Sequence, residues 1–229
     1  MNTPNSWQTV ATLIDHTLLK SEATRSDVER LCKEALEYQF ASVCVNSVFV
    51  AAVAAALRNS AVKTCVVVGF PLGANLPAVK LAEAHAALEQ GAREIDMVIS
   101  VGTLKARDDS AVRAEIESLA TSAHERQAIL KVIIEASLLS EEEKFRACKI
   151  AREAKADFVK TSTGFSSAGA TVGDVALMRS VVGPEMGVKA SGGVKTLADL
   201  LKMVDAGASR IGTSNGVGIV REAQEKFPI

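Results

Sequence analysis

Short apolar runs alternate with longer amphipathic stretches along the whole chain. Runs at 13–17, 42–46, 63–69, 94–99, 130–135, 157–161, 187–190 and 210–214 read as strands, each four to seven residues long and rich in Val and Ile. Between them the apolar positions recur at helical spacing over 26–38, 49–58, 77–90, about 109–125, 141–155, 171–182 and 197–206, and a last helix runs to about Lys226. Punctuation supports these limits. Ser26 with Glu29, Ser140 with Glu143, and Thr196 are candidate N-caps, and Gly91 and Gly207 stand where a helix would stop. The segment 69–75 is a loop rich in breakers.

Eight strands, each followed by a helix or a helix-sized segment, imply a parallel sheet, and eight such units close into a barrel. The expected fold is therefore α/β, a single-domain (β/α)8 TIM barrel spanning 1–229. An open doubly wound sheet is the alternative. It would use fewer strands and a GxGxxG after the first, and neither that motif nor a Walker A pattern is present.

Alternation along the strands places the polar groups. If Ile95, Met97 and Ile99 face the helices, then Glu94, Asp96 and Val98 face inward. The same parity turns Lys131, Ile133 and Glu135 inward, with Phe158, Lys160 and Ser162 on the next strand and Lys189 and Ser191 on the one after. Asp15 is inward on the first. The interior thus collects Asp15, Asp96, Lys131, Glu135, Lys160 and Lys189. A layer of buried ion pairs that only braces the barrel is one reading. Burying that many charges costs several kcal/mol per ion unless the pairing is good, so a catalytic reason is the stronger one.

Two segments share one design. Asp157-Phe-Val-Lys-Thr-Ser-Thr-Gly164 and Gly187-Val-Lys-Ala-Ser-Gly-Gly193 each run strand, lysine, small residues, glycine. A neutral lysine amine adds to carbonyls, and a second ammonium nearby together with desolvation favours that neutral form. A carboxylate such as Asp96 can relay protons through water. The glycine-rich ends 191–193 and 212–216 follow the seventh and eighth strands, where barrels of this kind bind phosphate on backbone N–H groups. These residue types reach a Schiff-base aldolase, or a relative of one, acting on a phosphorylated sugar. They do not choose the substrate.

Composition narrows the field. With 48% hydrophobic and 23% charged residues and a net charge of −1, the chain has no basic patch or tail for nucleic acid, no apolar run long enough for a membrane and, from Met1 to Asn5, no signal-peptide layout. The expected compartment is the cytoplasm. Cys32, Cys44, Cys65 and Cys148 form no CxxC pair and read as buried free thiols, and His124-Glu125 opens an HExxH that Ala128 breaks. No metal site or cofactor is expected.

The segments 13–17, 94–98, 130–135, 158–165 and 188–193 resemble those of the deoxyribose-phosphate aldolase family in order and spacing, over nearly the whole chain. The resemblance implies a metal-free class I aldolase that interconverts 2-deoxy-D-ribose 5-phosphate with D-glyceraldehyde 3-phosphate and acetaldehyde. It implies Lys160 as the Schiff-base lysine, Lys189 as the group that lowers its pKa and Asp96 as the proton-transfer partner. Gly164, Gly192, Gly193, Gly212 and Ser214 would cradle the phosphate. Asp15, Thr17 and Cys44 would line the sugar end, and Lys131 would join the charged network. A homo-oligomer, dimer or tetramer, goes with this reading. Other readings are a different Schiff-base aldolase or transaldolase, or a non-catalytic sugar-phosphate-binding barrel. Two departures stand out. Phe165 occupies a position where some relatives carry lysine. Some relatives also end in a tyrosine, whereas this chain ends Lys226-Phe227-Pro228-Ile229 and has only Tyr38.

Overall fold

A computed structural model describes residues 4–227; residues 1–3, in the segment read for a signal peptide, and residues 228–229, at the end of the chain, lie outside the described residues. Eight parallel strands close into a barrel in sequence order: β1 (Ile14–Leu18), β2 (Ser42–Val45), β3 (Lys63–Val68), β4 (Glu94–Val98), β5 (Ile129–Ile133), β6 (Phe158–Lys160), β7 (Gly187–Ser191) and β8 (Arg210–Thr213), with β8 pairing back to β1. The helices wrap the outside: α1 (Trp7–Ala11), α2 (Arg25–Tyr38), α3 (Val50–Leu57), α4 (Pro77–Glu89), α5 (Val101–Lys105), α6 (Asp109–Glu125), α7 (Glu141–Glu153), α8 (Val172–Val182), α9 (Leu197–Asp205) and α10 (Gly216–Lys226). No helix among the described residues is long and apolar enough to cross a membrane.

The apolar residues divide as alternation requires. Val43, Val66, Ile95, Met97, Leu130, Val132, Val159, Val188 and Ile211 belong to one large cluster packed between sheet and helices. A second, small cluster of Cys44, Cys65 and Val67 sits apart from it, inside the barrel, with Leu19 and Phe70 against it. Much of the remaining interior is polar.

Where the boundaries differ from the expected ones, the cause is local. Helix α2 is capped by Thr24 and Asp27 in a reciprocal capping box, one turn-setting pair earlier than Ser26 and Glu29. The short α1 and α5, too brief for a periodicity to register, escape a sequence reading. Strand β5 stops at Ile133 because Glu135 takes a left-handed conformation, φ 52°, that no ladder accommodates. Strand β6 is only three residues long, and its successor Thr161 still donates its N–H to the Lys189 carbonyl at 3.0 Å.

The exit of β4 is held from outside the barrel. Lys80, fully buried on α4, donates to the Val98 carbonyl at 2.8 Å and pairs with Glu115 of α6 at 2.7 Å. Burial pushes the Lys80 ammonium below the ordinary lysine value, against the pull of Glu115. A Cβ on Gly69 would come within 2.9 Å of the Lys80 side chain, so glycine is what lets the lysine pass beneath the β3–α4 loop.

Candidate active site

The register sets the inward lysines side by side. Lys160 and Lys189 are Cα partners across β6 and β7, and Asp96 and Lys131 are partners across β4 and β5. Asp96 is the hub. Its Oδ2 accepts from Lys160 Nζ at 2.8 Å and Lys189 Nζ at 2.7 Å, and its Oδ1 accepts from Lys131 Nζ at 2.8 Å and the Cys65 thiol at 3.2 Å. Asp15 pairs with Lys189, receives Ser42 Oγ at 2.7 Å, and takes Arg210 Nη1 at 2.6 Å. Glu94 closes the layer, 2.5 Å from Lys131 and 3.1 Å from Arg210. The Arg210 guanidinium also lies over the Phe158 ring, 5.5 Å from its centroid.

Charge fixes the ionisation of most of this layer. Burial works against the Lys189 and Lys131 ammoniums, but carboxylates outweigh it and hold both above the ordinary lysine value: Asp15 and Asp96 for Lys189, and chiefly Asp96 for Lys131. Burial likewise opposes the Asp96 and Asp15 carboxylates, and the surrounding cations still hold both well below the usual carboxylate range. The network contains three carboxylates (Asp15, Glu94, Asp96) and four cations (Lys131, Lys160, Lys189, Arg210). The cations of the layer thus outnumber its carboxylates by one.

Above this layer the mouth opens into a cavity of about 260 Å³. Of the three interior lysines only Lys160 lines it. Thr17, Gly164, Gly192, Gly193, Gly212 and Ser214 line it as well. Asp15, Cys44, Asp96, Lys131 and Lys189 do not; each is completely buried beneath. Asp15 and Cys44, which the family resemblance places at the sugar end, are fully buried and stand behind the residues that line the cavity. Asp15 holds Lys189, and Cys44 lies beside Thr17, its register partner. Gly212 has a second reason to be glycine, because a Cβ there would come within 3.0 Å of Lys189 Cε and of Ser191 Cβ. The loops after β7 and β8 are sewn together: Thr213 Oγ1 donates to the Val194 carbonyl at 2.7 Å, and Asn215 Nδ2 donates to the Lys195 carbonyl at 2.8 Å.

Glu135 faces the β6 exit rather than the ion network. It accepts from the Thr163 N–H at 3.2 Å and the Thr163 hydroxyl at 2.5 Å. Phe165 stands at the rim, with its ring edge-on to Phe70 at 5.2 Å. Tyr38 stacks on Phe40, 5.8 Å between centroids, at the end of α2.

Sequence reasoning missed four participants. Arg210 and Cys65 carried a usable signal, since Arg210 is two residues from inward Gly212 and Cys65 is the register partner of Cys44. Lys20 and Lys195 border the cavity and supply cations where Phe165 supplies none. Two sets of donors lie close enough to share an ion, Cys44 with Cys65 and Asp96, and Asp15 with Cys65 and Glu94, their ligand atoms within 4.8 Å of one another. The Lys131 ammonium occupies that place, 3.3 Å from the Cys65 sulfur and within hydrogen-bond reach of Asp96 and Glu94.

A closed (β/α)8 barrel with an interior amine opening onto a glycine-rich mouth is the architecture of an aldolase that works through a Schiff base. Comparison with known proteins makes this specific. Residues 9–226 match the DeoC/LacD family aldolase model, and this chain is a member of that family. It is 56% identical over 211 residues to the deoxyribose-phosphate aldolase of a Geobacillus species, covering 92% of this chain and 94% of that one. It is 54% identical over 213 residues to the deoxyribose-phosphate aldolase of Lysinibacillus sphaericus, with 93% and 95% covered. Among solved structures it resembles the tetrameric deoxyribose phosphate aldolase of Aeropyrum pernix, with a TM-score of 0.91, 36% identity, and 99% and 95% of the two chains covered.

Proposed function

We propose that the chain reversibly cleaves 2-deoxy-D-ribose 5-phosphate to D-glyceraldehyde 3-phosphate and acetaldehyde, with Lys160 as the nucleophile. The observation that carries the assignment of Lys160 is its position: it is the surplus cation of the buried layer and the one interior lysine that reaches the cavity. Lys189 is fixed as an ammonium by Asp15 and Asp96, whereas Lys160 is tied to Asp96 alone.

The Lys160 amine adds to the C1 aldehyde of the open-chain sugar, and the carbinolamine loses water to leave an iminium. A base removes the C3 hydroxyl proton, and the C2–C3 bond breaks. Its electron pair moves through C2 into the iminium, giving an enamine and free D-glyceraldehyde 3-phosphate. Protonation at C2 and hydrolysis return acetaldehyde and the Lys160 amine. Asp96, hydrogen-bonded to both lysines, is the group through which protons pass by way of a water. The phosphate sits on the loops holding Gly164, Gly192, Gly193, Gly212 and Ser214, between Lys20 and Lys195. A cytoplasmic setting and assembly as a dimer or tetramer go with this reading; the Aeropyrum pernix relative is tetrameric.

Incubation with acetaldehyde and borohydride tests the proposal. An ethyl group should appear on the peptide carrying Lys160 and be absent in Lys160→Ala. An adduct elsewhere, or none, would sink the assignment. A transaldolase would instead transfer a ketol unit and make no use of acetaldehyde as donor.

A further inference from the structure

Two thiols inside the barrel carry no step of the reaction just described. Cys44 and Cys65 are Cα partners on neighbouring parallel strands, both completely buried and both pointing to the barrel axis. Neighbouring strands run about 4.7–4.9 Å apart, within the span of roughly 4.4–6.8 Å between Cα atoms that a disulfide bridges. Inward side chains of a closed barrel converge, which brings the sulfurs closer still, and the two thiols are within hydrogen-bonding reach of each other. Cys44 neighbours the cavity wall, since its other register partner, Thr17, is part of that wall. Of the two thiols, Cys44 is the one that adjoins the cavity wall in this way.

We propose that Cys44 and Cys65 are a peroxide-sensitive pair that closes to a disulfide and, in doing so, slows the reaction. The Cys44 thiolate attacks one oxygen of hydrogen peroxide; the O–O bond breaks, hydroxide leaves, and Cys44 becomes a sulfenic acid. The Cys65 sulfur, giving up its proton, then attacks the Cys44 sulfur. The S–OH bond breaks, and the departing hydroxide leaves as water with that proton. Two thiols and one peroxide become one disulfide and two waters. The order of events follows from the surroundings. Cys65 is engaged by the ion layer, its thiol donating a hydrogen bond to Asp96 and its sulfur accepting one from Lys131, whereas Cys44 makes no hydrogen bond to that layer among the described residues and borders Thr17 of the cavity wall.

The consequence lies one bond away. Cys65 donates to Asp96 Oδ1 at 3.2 Å and accepts from Lys131 at 3.3 Å, so the disulfide removes a donor from the carboxylate that both site lysines share. Loss of one hydrogen bond to a charged group corresponds to roughly a tenfold fall in turnover.

The test is chemical and stands apart from the aldolase reading. The intact protein is treated with hydrogen peroxide, alkylated and digested. The expected product is a cross-linked pair of peptides carrying Cys44 and Cys65, lighter by two hydrogens than their sum and split by dithiothreitol. Deoxyribose-phosphate cleavage should fall with cross-linking and return with dithiothreitol. In Cys65→Ser the cross-link should vanish, Cys44 should advance to the sulfinic acid, and dithiothreitol should restore nothing; Cys65→Ala serves if the serine variant does not fold. Peroxide that leaves Cys44 and Cys65 alkylatable, a sulfinic acid on Cys44 of the unaltered protein without any cross-link, or a cross-link through Cys32 or Cys148 would each overturn the proposal.

Discussion

Lys160 and Lys189 face each other across the β6–β7 ladder and end on the same oxygen of Asp96, 2.8 and 2.7 Å away. Only one of them can leave that oxygen for a carbonyl without breaking a second ion pair, because Lys189 is also tied to Asp15. Lys189→Leu removes the neighbouring cation. The pH at which turnover appears should rise, and activity near neutrality should fall on the order of 10²-fold. A pH–rate profile checks this, and an unmoved profile would remove Lys189 from its role.

In the proposed reading the phosphate end is served by two cations that border the cavity, Lys20 and Lys195. Lys20→Ala or Lys195→Ala should raise KM for deoxyribose 5-phosphate roughly tenfold, the cost of about one charged hydrogen bond. Borohydride trapping of acetaldehyde on Lys160 should be unchanged in both. Phe165→Lys should lower the same KM and steepen its dependence on salt.

Lys80→Met leaves Glu115 buried without its partner and should cost roughly 3–5 kcal/mol in urea unfolding. The double variant Lys80→Met/Glu115→Leu should recover most of that loss, since an apolar pair of similar size replaces an ion pair at little cost. Equal losses in the single and double variants would argue against an uncompensated charge as the cause.

Acid should unfold the protein in two stages. Burial lowers the His16 pKa despite its 2.7 Å contact with Glu34, so below about pH 6.5 the unfolded chain binds a proton that the folded one does not, and stability falls. Asp15 and Asp96 are held low in the fold. Their contribution is complete above about pH 3.9 and is lost as pH drops below that toward their folded values. Urea midpoints from pH 8 to 3 should show both slopes, and His16→Asn should lose the first.

The periodicity of the chain discloses the barrel and its inward faces because parity is local: Asp96, Lys131, Lys160 and Lys189 are inward whatever the rest of the chain does. Depth is not local. It depends on the stagger of strands around the closed sheet, in which Asp15 is the partner of Gly212 on one side and of Ser42 on the other. That stagger sets Asp15 and Cys44 behind the residues that line the cavity and brings Arg210, from the far end of the chain, up against Asp15. The caps of α2 show the same limit on a smaller scale. Thr24 and Asp27 compete with Ser26 and Glu29 for one helix start, and only the backbone conformation at Thr24 decides between them.

One tie described above bears on how this site tolerates change. The exit of β6 is fastened at Thr163 by Glu135, a residue of the preceding strand's loop, and Thr163 Oγ1 in turn accepts the Phe165 N–H at 3.1 Å. The path of the chain past Lys160 is thus set through main-chain atoms and a neighbour's carboxylate, with no demand on the side chain at 165. A change of side chain at 165 therefore alters the rim and its contact with Phe70 while leaving the main-chain tie that carries β6 past Lys160 in place.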